Sequence, residues 1–274
     1  MLGTNTKEPA GTSKENQIMY WLKSNRLISQ LVLLVSLIGT VYGYYLNGLS
    51  LGTVLLPILG YSLYIGLGIS VTFHRNLTHK SYKTHSWITK LGTLLGTFSN
   101  TGSSIVWVAI HMNHHKYADT EKDPHSPRHT GLKTFALEYD LDTSKVRWTM
   151  KYLIHDRYHM FLHKYYFGVI VAWSLFLYLI GGFYLMVFLH WFPMIICAVM
   201  SNINNYIGHK PDWWGSYRTY DTRDDSTNNW LWAILFFGET LHNNHHKRPY
   251  SYNHGEKWYE VDIGAWIIRL IKIK

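Results

Sequence analysis

Between Leu27 and Phe73 the chain carries no Lys, Arg, Asp or Glu, and between Tyr165 and Gly208 it again carries none. A helix needs about 20 apolar residues to cross the hydrocarbon core of a bilayer. Each charge-free window is therefore long enough for two helices and a tight turn. Turn signals stand near both midpoints, at Asn47-Gly48 and Gly181-Gly182. The pattern predicts an all-α integral membrane protein with four spanning helices in two hairpins, over 27–46, 51–73, 165–180 and 183–208. Long helices of a soluble protein would keep a charged face, and these keep none.

The remaining segments are polar or mixed. Residues 1–26 read as a polar, disordered tail without a cleavable-signal pattern, so that 27–274 form a single membrane domain. Residues 86–110 are apolar but rich in Gly, Ser and Thr, and are expected to lie along the interface or dip partly into it. Turn residues fill Asp119 to Gly131, and 138–164 read as a polar, aromatic helical pair resting on the membrane. A charged loop runs from Arg218 to Asp225. The ending, Trp258 to Lys274, reads as an amphipathic helix with Ile263, Trp266, Ile267, Leu270 and Ile271 on one face.

Charge orients this arrangement. All 26 basic residues of the 274-residue chain fall in 1–26, 74–164 and 209–274, which two hairpins place on one side. The positive-inside rule makes that side cytoplasmic. A basic cap over anionic lipid headgroups accounts for the net charge of +9 without a nucleic-acid partner. Cys197 is the only cysteine and lies in an apolar stretch, which excludes disulfides and cysteine-based metal sites.

Seventeen histidines carry the candidate chemistry. His111, His114 and His115 form His-x-x-His-His, and His242, His245 and His246 repeat it. Offsets of three and four place the rings of a triplet within a ~100° arc of a helix, from which they can converge on a metal. His74 and His79 sit where the second span ends. Their offset of five is poor for one straight helix, so they straddle a helix end or kink, or face two different metals. Asn205 and His209 lie one turn apart at the end of the last span and can share a site. Asp119, Asp123 and Glu239 are candidates to orient ligand rings through their second nitrogen, with His125 in a similar supporting place.

Nine imidazoles exceed the needs of one ion and imply two. Imidazole suits zinc, copper, iron and nickel alike, but the location narrows the choice. A site at the ends of apolar helices meets lipid tails, and oxidising an unactivated methylene needs a redox metal with O₂. A haem electron carrier would instead place isolated histidine pairs on facing spans, and a membrane zinc hydrolase would need neither O₂ nor reductant.

These residues resemble the membrane-bound fatty acyl desaturases, the stearoyl-CoA desaturase type and its bacterial acyl-lipid relatives. The boxes of that family stand here as His74-Arg75-Asn76-Leu77-Thr78-His79, His111-Met112-Asn113-His114-His115 and His242-Asn243-Asn244-His245-His246. The flanks are similar too, with Trp107 before the second box, Asp119 to Pro127 after it, and Gly238-Glu239 before the third. The resemblance implies four spans, a cytoplasmic cap and two Fe²⁺ ions held by His74, His79, His111, His114, His115, His209, His242, His245 and His246. Asn205 would act through water; the alternative register puts Asn202 there, with Tyr206 at the histidine position. It further implies O₂-dependent insertion of a cis double bond into a saturated acyl chain, at the delta-9 position. The substrate would be an acyl lipid, acyl-CoA or acyl-carrier species, and the electron donor a separate ferredoxin or cytochrome b5 type protein. Ala109 stands where acyl-CoA members often carry an Arg, which weighs against CoA. The alternative activity is a di-iron hydroxylase of the same superfamily acting on an alkane, sterol or carotenoid.

Overall fold

The computed structural model describes residues 14–124, 126–131 and 150–273. Among the described residues there are helices, turns and isolated bridges, with no strands. Helix α1 (Lys14–Asn47) starts well before Leu27, so the polar stretch expected as disordered through residue 26 is helical from Lys14 onward. Residues 1–13 lie outside the described residues. Gly48, at φ 62°, turns the chain by adopting a conformation that costs glycine no Cβ clash. Ser50 then opens α2 with a capping box closed by Thr53.

Helix α2 (Leu51–Thr78) is α-helical over Leu51–Tyr61 and winds as a π-helix over Ser62–Thr78. The second predicted span therefore remains helical past Phe73, through the first histidine of the first box.

Three stretches are long and apolar enough to cross a membrane: Asn25–Asn47, Leu51–Thr78 and Tyr166–Gly208. The last is not one rod. Gly181 and Gly182 leave helical geometry, Gly182 at φ 64°. Trp191 Nε1 donates to Ser174 Oγ at 3.1 Å, although 17 residues of straight helix would part them by about 25 Å. The chain thus folds back into α7 (166–180) and α8 (183–208), as the Gly-Gly signal predicts. Glycines let the two hairpins approach: Gly39 lies against Trp191, Gly43 against Val187 and Gly60 against Pro193.

Residues 86–110 form parts of two short helices, α3 (Ser86–Thr97) and α4 (Ser104–Tyr117), with a turn between them. Their small residues are explained by packing. Gly68 of α2 meets the backbone at Gly96, Gly92 meets Thr72, and the Phe73 ring lies over Gly96. Ser103 caps α4 by accepting from Val106 N. A single turn, α5 (Pro127–Thr130), follows. Of the expected helical pair, helical residues 150–154 and α6 (Arg157–Lys164) are seen, whereas 132–149 lie outside the described residues.

The third histidine box forms α9 (His242–Lys247). The C-terminal helix, α10 (Ile263–Ile271), is shorter than predicted and packs differently. Gly264, Ala265 and Ile268 are its buried residues, with Ile268 against Val71 and Tyr82, whereas Trp266 and Leu270 point outward. Of the predicted stripe, Ile263, Ile267 and Ile271 pack partly buried against the core, whereas Trp266 and Leu270 do not.

Candidate metal centre

The nine histidines converge in two adjoining groups. His74, His79, His111, His115 and His245 form one, and His114, His209, His242 and His246 the other. Within each, the candidate ligand nitrogens all lie within 4.8 Å of one another. Each triplet splits between the groups. On α4 the i, i+4 pair His111 and His115 enters the first group, and His114, rotated to their flank, enters the second. On α9 the pair His242 and His246 enters the second group and His245 the first. The His115 and His246 rings stack at 4.5 Å where the groups meet.

His74 and His79 fall in the same group, and the π-winding of α2 is the reason. In i→i+5 bonding the fifth neighbour sits over the first, and His79 N donates to His74 O at 3.1 Å. The offset of five thus brings the two rings into one group.

Nε2–Nε2 separations are 3.0 Å for His74–His245, 3.1 Å for His79–His111, and 3.0 Å for His209–His242 and His246–His242. Hydrogen bonding among the rings does not explain both contacts of His242. His209 Nδ1 lies 2.7 Å from Asp119 and His246 Nδ1 2.9 Å from Asp224. Those carboxylates take the N–H of each neutral ring, so both Nε2 atoms offer lone pairs, and His242 Nε2 can donate to only one. Converging lone pairs fit a cation.

Carboxylates back four of the nine rings. Glu239 lies 2.6 Å from His74 Nδ1, Asp123 2.9 Å from His114 Nδ1, and Asp119 and Asp224 serve His209 and His246. Sequence reasoning missed Asp224, although the charged loop 218–225 holds three aspartates and was the available signal. His125 lies outside the described residues. The residues between the histidines face away and anchor the surrounding loops. Arg75, fully buried, pairs with Glu239 and Asp262, and Asn244 bonds Asn228, His254 O and Glu260.

Asn205 lies on the cavity beside the histidines, as does Asn202, whose Nδ2 donates to Ala198 O. Tyr206 packs on Trp213, away from both groups. It is His209 that enters the second group.

Burial holds His79, His111, His115, His242 and His245 well below the ordinary imidazole range, and neighbouring rings add to the effect. His246 is pushed down to about 4 by burial, against the opposing bond from Asp224. Burial would also lower His114, but the charge and bond of Asp123 raise it. Asp119 and Asp224, despite burial, are held below the usual carboxylate range by bonds from His209 and His246. Neutral imidazoles with ionised partners are the protonation states that metal binding needs.

A cavity opens from His74, His111, His114 and His242 along Ile65 and Ile69 of α2, Trp107 of α4, and Ala198 to Asn205 of α8. Away from the histidines its wall mixes apolar Tyr61, Ile65, Ile69, Ile110 and Phe236 with polar Asn100, Thr101, Ser201 and Asn204.

Comparison with known proteins agrees with this geometry. The fatty acid desaturase family profile matches residues 49–268. The chain is 34% identical over 242 residues, 86% of each protein, to the sn-1 stearoyl-lipid 9-desaturase of Anabaena variabilis. It is 34% identical over 213 residues to Delta-9 acyl-lipid desaturase 1 of Arabidopsis thaliana, covering 76% of this chain and 68% of the other. It is also 34% identical over 210 residues to the Acyl-CoA C20 Delta5-desaturase of Anemone leveillei, covering 75% and 66%. Matched along most of its length and carrying both histidine groups, this chain belongs to the fatty acid desaturase family.

Proposed function

We propose that this desaturase uses two iron ions, one in each histidine group, to introduce a cis double bond at the ninth carbon of an acyl chain esterified in a membrane lipid. The observation that carries the reading is two adjoining imidazole groups opening on one cavity between α2 and α8, flanked by Ile65, Ile69 and Trp107.

The ligand geometry supports iron over zinc. With a metal–nitrogen bond of about 2.1 Å, right-angled ligands sit about 3.0 Å apart and tetrahedral ones about 3.4 Å. Edges of 3.0 and 3.1 Å are compatible with the right-angled case, and five histidines in one group exceed the four ligands of a structural zinc site.

When bound, the iron pair supplies O₂-dependent removal of two hydrogens from neighbouring methylenes, with electrons from a separate ferredoxin or cytochrome b5 type donor. The chain's own residues do the rest. Glu239, Asp123, Asp119 and Asp224 keep the proton on Nδ1 of their histidines, which leaves Nε2 free for metal. Ile65, Ile69 and Trp107 hold the acyl chain against the histidines and exclude water, and the methylene pair they present sets the bond position. Asn205, one turn before His209, holds a water on the four-histidine group.

Four spans and a cytoplasmic metal centre are part of this proposal, with 27–274 acting as one domain. The fold-back at Gly181-Gly182 and the one-sided basic residues support it. The Anabaena and Arabidopsis proteins are named for position nine and for acyl-lipid substrates, which supports both here; the Anemone protein is named for another position and carrier. Expression in a host without its own desaturase, followed by mass spectrometry of intact lipids, tests the proposal. A cis-9 acyl group in glycerolipids is the expected product, and an alcohol at that carbon would contradict it.

A further inference from the structure

Between Trp230 and Gly238 the chain carries no charge and no regular helix, and it lies along α2. The Phe237 ring sits over Gly66, and Tyr61 Oη donates to the Leu235 carbonyl at 2.8 Å. Ser70 and Arg75 approach the Phe237 carbonyl at the other end of the contact. From Ser70 to Tyr61 is on the order of 10 Å along the helix, so the segment descends beside a membrane-crossing helix to its middle. It has two sides. Phe236 is buried and lines the cavity, while Leu231, Ile234 and Leu235 are exposed, at 39%, 54% and 49%.

Irregular backbone survives at membrane depth only where its polar groups are satisfied. Here the carbonyls of Trp230, Trp232, Ala233, Ile234 and Phe236 accept bonds from within the segment. Tyr61 takes Leu235's and Arg75 takes Phe237's. Exposed Trp230, Trp232, Trp258 and Trp266 supply the interfacial indoles that anchor a protein at headgroup level. Trp266 and Leu270 belong to the side of α10 that the protein leaves uncovered.

We infer that residues 230–237 form a bilayer-inserted flap, latched to α2 by Tyr61. The flap is the wall between cavity and lipid, and the acyl chain of a membrane glycerolipid passes between flap and α2 to reach the histidines. The inference rests on the desaturase reading for what the cavity receives, but the flap's location is tested without turnover. Cys197 is buried and is the chain's only cysteine, so a nitroxide can be attached to Ile234→Cys selectively. Metal-loaded, full-length protein in phosphatidylcholine nanodiscs serves, with Leu175→Cys as the lipid-facing reference and Lys122→Cys as the aqueous one. The label at 234 should collide with dissolved oxygen in preference to a water-soluble nickel chelate, several-fold more than at 122 and close to the ratio at 175. A ratio equal to that at 122 overturns the flap.

Passage is tested by replacing Phe236 with photoreactive benzoylphenylalanine in the same nanodiscs. Illumination should give an adduct of phosphatidylcholine mass. Capture only when stearoyl-CoA is supplied from water would overturn lateral passage. Product analysis judges the desaturase reading separately, so the two can fail independently.

Discussion

At the residue scale, the carboxylates behind the rings matter as much as the rings' spacing. Asp224 holds His246 at Nδ1 and also accepts from Thr222 and Ser226 N. Its neighbour Asp225 pairs with half-exposed Arg128, an ion pair of little consequence. Partners of metal-bound histidines typically change metal affinity or activity by about 10–100-fold when removed. Asp224→Asn should therefore lower iron affinity of the four-histidine group by about that factor, read by metal analysis after dialysis. Asp225→Asn should leave metal content within about twofold. Equal losses from both would show that loop integrity, not His246, is what Asp224 secures. The spacing of the boxes made the histidines legible before any coordinates. Asp224 was not, because it reaches His246 through a loop whose path no local pattern encodes.

At the element scale, the charge-free windows disclosed the long helices because burial in lipid forbids charge along them. The π-winding of Ser62–Thr78 was hidden, since π- and α-helices use the same apolar residues. It is the winding that brings His74 and His79, at an offset of five, into one group. The seat of α3 on α2 was legible only as a richness in glycine. A Cβ at Gly96 would meet the Phe73 ring, which precedes His74 directly. Overpacking of this kind costs about 1–3 kcal/mol. Gly96→Val should lower thermal stability accordingly and reduce iron in the five-histidine group, whereas Gly168→Ala, with open space around it, should do neither. A fully stable, fully loaded Gly96→Val protein would contradict the close seat of α3.

For the whole molecule, the buried histidines make the metal-free protein sensitive to acid. A histidine held below its unfolded value of about 6.5 contributes stability that is complete above that pH and is lost as pH falls toward the folded value. For His246, pushed down to about 4, the loss between pH 6.5 and 4 is about 3 kcal/mol. His79, His111, His115, His242 and His245 shift in the same direction. His114, raised by Asp123, opposes them in part. Melting of metal-free protein in detergent should fall steeply below pH 6.5, and iron should raise the melting temperature at neutral pH and be lost as acid protonates the rings. A melting temperature unchanged from pH 6.5 to 4.5 without metal would contradict the assigned protonation states.

The account as a whole stands on two metal ions held by nine histidines. Anaerobic loading with ferrous iron, followed by metal analysis per chain and Mössbauer spectroscopy, tests it most directly. The account predicts about two irons per chain in nitrogen-rich sites, with His209→Ala losing iron as His245→Ala does. One iron per chain at full desaturase activity, or full loading without His209, would contradict it.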